Sequence, residues 1–462
     1  MSARVSSGSA RVDQVLGGGL IANGINLVIG SPGCGKTILC EQYVFHNAAV
    51  ERPALYLSTV SEPLDKMLRY GESLDYFDTS AIGSRVIYED LGRHLNDGGL
   101  PAVLERVTTL LRERRPGIVV IDSFKALRDY ADDVADFRRF LYELAGRLTV
   151  LAVTSFWVGE YERDAVDGPE FAVADAILAL TVERTAERET RVMQVLKFRG
   201  SNFLSGKHAY RISSKGVEAF PRLADELDAT AYESSSVRIS SGVAPLDAML
   251  SDGYIQGAST LVAGPSGSGK TLLGLHFLMN GARLDEPGLI ATLQENPIQL
   301  ERILNGYGWS LGEPGIGVMY RTPVDLYLDE WMYNLLDEIE RTGAKRVVID
   351  SLGDLRASGI EELRFRECIY SLLQRCVRKG VSVMMTQEVP ELFGTTRLSE
   401  YGISHLSDNV VLLQFILDDS RLKRAISVIK TRGSAHDSHL RQFDITGEGF
   451  VLGEAFIPSP TA

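Results

Sequence analysis

Apolar and polar positions in the first half of the chain fall into short β-branched runs separated by longer stretches with helical spacing. Residues 25–29 (Ile-Asn-Leu-Val-Ile), 54–57, 117–121, 150–154 and 176–180 read as strands, and 117–121 (Gly-Ile-Val-Val-Ile) is apolar enough to be buried on both faces. Between them, residues 100–112 and 136–146 place apolar side chains at three- and four-residue intervals, which predicts amphipathic helices. Strand and helix in alternation predict an α/β fold: a mostly parallel sheet with helices on both faces.

The pattern then repeats. Ser6-Ser-Gly-Ser-Ala-Arg-Val-Asp13 returns as Ser240-Ser-Gly-Val-Ala-Pro-Leu-Asp247, and residues 118–123 (Ile-Val-Val-Ile-Asp-Ser) return as 346–351 (Arg-Val-Val-Ile-Asp-Ser). Lys197-Phe198-Arg199-Gly200-Ser201 returns as Lys430-Thr431-Arg432-Gly433-Ser434. Blocks in the same order at nearly constant shift mean a duplicated domain. Residues 225–238 are acidic, then Ser-rich, with no apolar period, and read as a connecting segment. The expected division is a first domain over 1–232, a linker over 233–238 and a second domain over 239–462.

The shared blocks carry the chemistry. Gly30-Ser31-Pro32-Gly33-Cys34-Gly35-Lys36-Thr37 and Gly264-Pro265-Ser266-Gly267-Ser268-Gly269-Lys270-Thr271 both satisfy the phosphate-loop pattern G-x-x-x-x-G-K-[ST]. Each follows an apolar strand and opens a helical run at Ile38 or Leu272, the context in which backbone N–H groups and a helix N-terminus converge on phosphate. Lys36 and Lys270 are expected to bridge the β- and γ-phosphates, and Thr37 and Thr271 to hold Mg²⁺. Asp122 and Asp350, each ending a buried strand and followed by Ser, are the expected carboxylates on the metal side.

Charge and composition narrow the partners. The chain of 462 residues has 45% hydrophobic residues and a net charge of −13, a balance that suits large cores and opposes binding to nucleic acid. Nothing approaches an apolar stretch of membrane-spanning length and no secretory leader is evident, so a cytoplasmic protein with no membrane partner is expected. Cys34, Cys40, Cys368 and Cys376 read as buried thiols rather than metal ligands or a disulfide framework.

Tandem phosphate loops, Ile-Asp-Ser at both metal-side strands and Lys-x-Arg-Gly-Ser near each domain's end together make the chain resemble the KaiC family of RecA-like ATPases, over nearly its whole length. The resemblance implies two tandem RecA-like P-loop domains, homohexameric rings, and ATP held between neighbouring subunits. It implies that Lys197, Arg199, Lys430 and Arg432 reach ATP on the adjacent subunit, with Arg191 and Arg424 close by, and that Phe198, Ser201, Thr431 and Ser434 share that contact. His436 matches a nucleotide-contacting position, while its first-domain counterpart is Phe203; Tyr307 matches an aromatic that stacks on adenine.

Departures from the family pattern shape the expected activity. The family carries adjacent glutamates after the second strand, one of them a general base. Here the first domain offers Val60-Ser61-Glu62 and the second Gln294-Glu295, so neither keeps the pair and hydrolysis is expected to be slow. Where clock members of the family phosphorylate a neighbouring serine and threonine, this chain has Ser404 and then His405. A two-site phosphorylation cycle is not expected; Ser404 stands as the sole candidate phosphoacceptor. The reading is an Mg-dependent ATPase with serine autokinase capacity, working in signalling with partner proteins that no sequence feature names. A nucleotide-gated scaffold with little or no turnover is the alternative.

Overall fold

The computed structural model describes residues 3–59, 64–161, 168–185, 188–223, 235–312, 315–324, 326–357, 359, 361–390, 403–418 and 421–455. Two compact units divide the chain, Met1–Arg222 and Leu223–Ala462. Arg238, which the sequence reading placed in the linker, opens the short strand Arg238–Ile239 of the second unit, paired with Tyr254–Ile255.

The first unit is built on β1 (Ile25–Gly30), α1 (Lys36–Asn47), β2 (Ala54–Ser58), β3 (Val86–Asp90), α2 (Gly92–Arg114), β4 (Ile118–Asp122), α3 (Val134–Val150), β5 (Thr154–Gly159), β6 (Ala176–Thr185), β7 (Arg188–Phe198), β8 (His208–Ser213) and β9 (Gly216–Phe220). Its sheet has the order β3-β2-β4-β5-β1-β6-β7-β8-β9. Neighbours from β3 to β6 run parallel, while β7, β8 and β9 add antiparallel strands at one side.

Strand alternation explains the two helical layers. Leu27, Ile29, Leu55, Leu57, Val119 and Ile121 point to one face, where they pack against α2 and α3. Val28, Tyr56, Ile118 and Val120 point to the other, where they meet Leu39, Tyr43 and Val44 of α1. Both faces are apolar, so both need a cover of helices.

The second unit repeats this plan with β10 (Ser259–Gly264), α4 (Lys270–Arg283), β11 (Gly288–Thr292), α5 (Pro297–Asn305), β12 (Ile316–Tyr320), α6 (Leu328–Thr342), β13 (Arg346–Asp350), α7 (Glu362–Arg378), β14 (Ser382–Glu388), β15 (Asn409–Asp418), β16 (Arg421–Thr431), β17 (Arg441–Thr446) and β18 (Gly449–Ala455). Its sheet order, β12-β11-β13-β14-β10-β15-β16-β17-β18, matches the first strand for strand. The four cysteines are free and buried, as expected.

One strand starts later than the apolar pattern predicts. Residues 150–154 do not form it: α3 runs through Val150, which is 83% exposed, and β5 begins only at Thr154. The apolar run Val150-Leu-Ala-Val153 spans a helix end, a turn with Ala152 at φ 52°, and the entry to a strand. Hydrophobicity alone cannot separate those three states in four residues.

Candidate functional site

Each phosphate loop hangs on the end of a central strand where the parallel strands finish, the position at which open α/β sheets bind ligands. Gly33 and Gly35 have φ of 73° and 90°, and Gly267 and Gly269 have φ of 74° and 101°, so both loops turn through left-handed backbone that favours glycine. Crowding adds to the requirement: a Cβ on Gly35 would lie 2.6 Å from Ile212 Cδ1, and one on Gly269 would lie 3.0 Å from Ile445 Cδ1. Lys36 and Lys270 then open α1 and α4, whose first-turn N–H groups have no helical partner and face the loop.

The lysines lie against their own loops. Lys36 Nζ donates to Gly30 O at 3.1 Å and Ser31 O at 2.9 Å, with Glu160 Oε1 at 3.9 Å. Lys270 Nζ donates to Pro265 O at 2.9 Å. Burial lowers the Lys270 pKa, against the opposing pull of Glu388, Asp350 and Glu295.

The predicted hydroxyl–carboxylate pairs meet in both units. Thr37 Oγ1 donates to Asp122 Oδ2 at 2.9 Å, and Thr271 Oγ1 donates to Asp350 Oδ2 at 2.7 Å. This donor set, a hydroxyl beside a carboxylate under a phosphate loop, has the hard oxygen chemistry that Mg²⁺ requires. In both units the Asp–Ser peptide that follows is cis. Neighbouring strands supply hydrogen-bond donors to the aspartates that the motifs do not reveal: Tyr56 Oη donates to Asp122 at 2.7 Å, and Thr386 Oγ1 donates to Asp350. The cleft beside the first loop measures about 870 Å³ and is lined by Gly33, Gly35, Lys36, Thr37, Ile38, Tyr56, Asp122 and, from outside the motifs, Lys66, Lys125, Asp129 and Glu160.

Glu295 stands half-buried at the second site, its N–H donating to Thr292 Oγ1 at 3.2 Å. Burial, then the Asp350 charge, raises its carboxyl pKa. Gln294 is exposed and its amide donates to Asp354 Oδ2 at 2.9 Å. Glu62, the first-domain candidate, lies outside the described residues.

The Lys-x-Arg turns lie elsewhere. Lys197 is level with Ile177 and hence with Leu27, three residues short of Gly30, or about 10 Å along the strand direction. Its ammonium donates to Phe171 O at 2.9 Å and Ala172 O at 3.2 Å, and Arg199 donates to Ala172 O at 3.1 Å. Lys430 likewise donates to Ser404 O at 3.0 Å and Ser407 O at 2.6 Å, and Arg432 to His405 O at 2.6 Å. Both turns therefore sit where the parallel strands begin, at the opposite end from the phosphate loop of the same unit. Burial, then the adjacent arginine, lowers the pKa of Lys197 and of Lys430.

Ser404 is half-buried beside Lys430 at that same end, in the turn Ile403–His405. Arg424 is separated from this group: it pairs with Phe415 at the phosphate-loop end, and its Nε donates to Gly267 O of its own loop at 3.4 Å. Arg191 pairs with Val182 at the corresponding place in the first unit. Phe198 lies under the Arg4 guanidinium at 5.8 Å, and Ser201 Oγ accepts from Arg4 at 2.8 Å. Thr431 and Ser434 bury their hydroxyls in the second turn, and His436 is half-buried just beyond it. Tyr307 packs at the edge of the second core, its ring 5.4 Å from that of Trp309. Ser268 buries its hydroxyl inside the second loop, at the position that Cys34 fills in the first.

Comparison with known proteins agrees with this duplicated architecture. A family model described as "ATPase: KaiC" matches residues 5–224, 239–315 and 321–455. The chain belongs to the KaiC ATPase family. Among curated relatives, the circadian clock oscillator protein KaiC of Picosynechococcus sp. is 28% identical over 461 residues, covering 96% of this chain and 88% of the relative. That of Thermostichus vulcanus is 29% identical over 460 residues, with 96% and 88% covered. That of Rippkaea orientalis is 28% identical over 461 residues, with 96% and 87% covered. The tandem RecA-like fold expected from the sequence is the KaiC-family fold. Among the described residues no helix is long and apolar enough to cross a membrane.

Proposed function

We propose that this KaiC-family protein is an Mg-dependent ATPase that binds ATP at both phosphate loops and hydrolyses it between copies of the chain in a homohexameric cytoplasmic ring, as part of a signalling system. The observation that carries this reading is the separation of Lys197 and Arg199, and of Lys430 and Arg432, from the phosphate loop of their own unit. Two cations at the far end of the sheet do not reach a triphosphate on the loop of their own unit, and on this reading they serve one on another copy. There they add charge neutralisation to the loop, and Arg supplies a two-pronged phosphate clamp.

In the second site Thr271 and Asp350 would hold Mg²⁺, which would supply charge neutralisation for the β- and γ-phosphates. The loop N–H groups and Lys270 fix the triphosphate. Glu295 takes a proton from the attacking water as the water oxygen bonds to the γ-phosphorus and the bond to the β–γ bridging oxygen breaks, releasing ADP. Its raised pKa brings the carboxylate closer to the operating pH of a general base. Ser404 is the phosphoacceptor for a slower transfer from a neighbour's ATP, since it shares the far end of the sheet with Lys430.

The Gln294–Asp354 hydrogen bond favours a second reading, a nucleotide-gated scaffold, because it ties up the residue that stands where the family has a glutamate. One experiment divides the two: steady-state ATP hydrolysis by wild type, Lys36→Ala and Lys270→Ala, with particle mass recorded with and without nucleotide. Turnover lost in Lys270→Ala supports the ATPase. Background turnover with ATP-dependent assembly supports the scaffold. Phosphate on Ser404 by mass spectrometry after incubation with Mg-ATP supports the autokinase, and an unmodified mass removes it.

A further inference from the structure

One difference between the two units lies just beyond the metal-side aspartate. In the first, Asp122-Ser123 leads into a turn in which Phe124 is fully buried and stacks on Trp157 at 4.2 Å with an interplanar angle of 1°. That anchor turns the next residue, Lys125, toward the cleft that also holds Lys36, Thr37, Asp122 and Glu160. Room for it comes from Gly159, where a Cβ would lie 3.2 Å from Lys125 Cβ and 2.3 Å from the Tyr161 ring. The ammonium rests 5.5 Å from the centroid of that ring, and among the described residues it forms no ion pair.

The second unit reverses the pair. Asp350-Ser351 leads into buried Leu352 and then Gly353, and the position of Gly159 is filled by Gln387, which is buried with its amide 4.0 Å from where a Gly353 Cβ would stand. One site therefore places a lysine over a glycine, and the other a glycine beside a glutamine. A surface lysine of no consequence would need no such exchange behind it.

We infer that Lys125 is a second phosphate-binding lysine, peculiar to the first site, that contacts the γ-phosphate end of bound ATP and gives that site a preference for ATP over ADP. The inference rests on the proposal that the first loop binds ATP. The phosphate loop and Lys36 approach the triphosphate from one side. Asp122, three residues before Lys125, meets Thr37 at 2.9 Å where the loop enters its helix, and Lys125 lines the same cleft beyond it. A cation on the Asp122 side reaches the terminal phosphate, which ADP lacks, and the Tyr161 face holds it there without neutralising it.

Isothermal titration of Mg-ATP and Mg-ADP into full-length protein carrying Lys270→Ala, which weakens the second site, tests this. Adding Lys125→Ala is expected to weaken ATP about tenfold and ADP less than about twofold, the scale of one charge-assisted contact, with Lys125→Arg restoring the preference. Added to Lys36→Ala instead, where the second site remains, Lys125→Ala is expected to leave both affinities unchanged. Unchanged ATP affinity in the Lys270→Ala background, or equal losses for ATP and ADP, overturns the inference. If the Lys270→Ala parent itself binds neither nucleotide, the ATP-site reading of the first unit fails before Lys125 is altered.

Discussion

His276 Nε2 accepts the backbone N–H of Phe450 at 3.1 Å, tying α4 behind the second phosphate loop to the last hairpin of that unit. At the matching place in the first unit, Gln42 Oε1 accepts the N–H of Val217 at 2.9 Å. Gln42 has no charge to gain, but His276 does. Burial pushes the His276 pKa down to about 4, assisted by Arg283 and opposed by a backbone hydrogen bond to Gly242. The unfolded chain, with the ordinary value of 6.5, takes up the proton first as pH falls. The stability owed to neutral His276 is thus fully present above pH 6.5 and is lost progressively down to pH 4, a change of about 3 kcal/mol. Denaturation midpoints between pH 7 and pH 4.5 should show this slope in wild type and lose most of it in His276→Gln, which copies the first unit.

On the proposed mechanism each site is split between copies, which makes complementation the sharpest test of the assembly. Lys270→Ala and Arg432→Ala are each expected to abolish turnover at the second site when assembled alone. Mixed in equal amounts before ring assembly, they should regain about a quarter of wild-type turnover, the share of interfaces at which both intact halves meet. No recovery from the mixture would place Arg432 on the nucleotide of its own chain or on none.

Glu295 and Gln294 predict opposite effects on rate. Glu295→Gln removes the carboxylate whose pKa burial raises, and turnover is expected to fall at least about a hundredfold, the contribution of a general base. Gln294→Glu restores the adjacent pair and brings a negative charge to Asp354, which now accepts the Gln294 amide at 2.9 Å. That repulsion frees the side chain from Asp354, and turnover is expected to rise roughly tenfold. Steady-state phosphate release measures both.

Arg346 gives a prediction about stability alone. Its side chain is 1% exposed, pairs with Glu286 at 2.5 Å, and donates to Ser240 O at 2.8 Å and Phe277 O at 2.9 Å. Arg346→Ala leaves those carbonyls and Glu286 unsatisfied and should cost about 4 kcal/mol, read as a lowered denaturation midpoint. The first unit needs no such link, because Ile118 takes the equivalent position in an apolar setting.

How much of this was legible depended on the range of the contact. The phosphate loops were readable because their chemistry lies within eight consecutive residues, and the Thr37–Asp122 and Thr271–Asp350 pairs followed from the repeat. The helix predicted over 100–112 survives because Gly99, with φ 65°, breaks α2 just before Pro101. The Lys125–Gly159 and Gly353–Gln387 exchange was not readable: its partners lie on different elements, and neither residue belongs to a motif. The distance of Arg424 from Lys430 was also hidden. Six residues apart look close in sequence, but on the extended strand β16 they lie about 20 Å apart.

The antiparallel hairpins β6–β7 and β15–β16 give each unit a direction, with its phosphate loop at one end and its Lys-x-Arg turn at the other. Copies that complete one another's sites must then meet head to tail, through unlike surfaces. A twofold dimer pairs a single patch with itself, whereas a loop and a turn on different faces of the unit pair through two different patches. Head-to-tail contacts end only when the series closes on itself or grows without limit. On the proposed mechanism, every site in a closed ring is whole, whereas any open chain of subunits carries an idle site at one end.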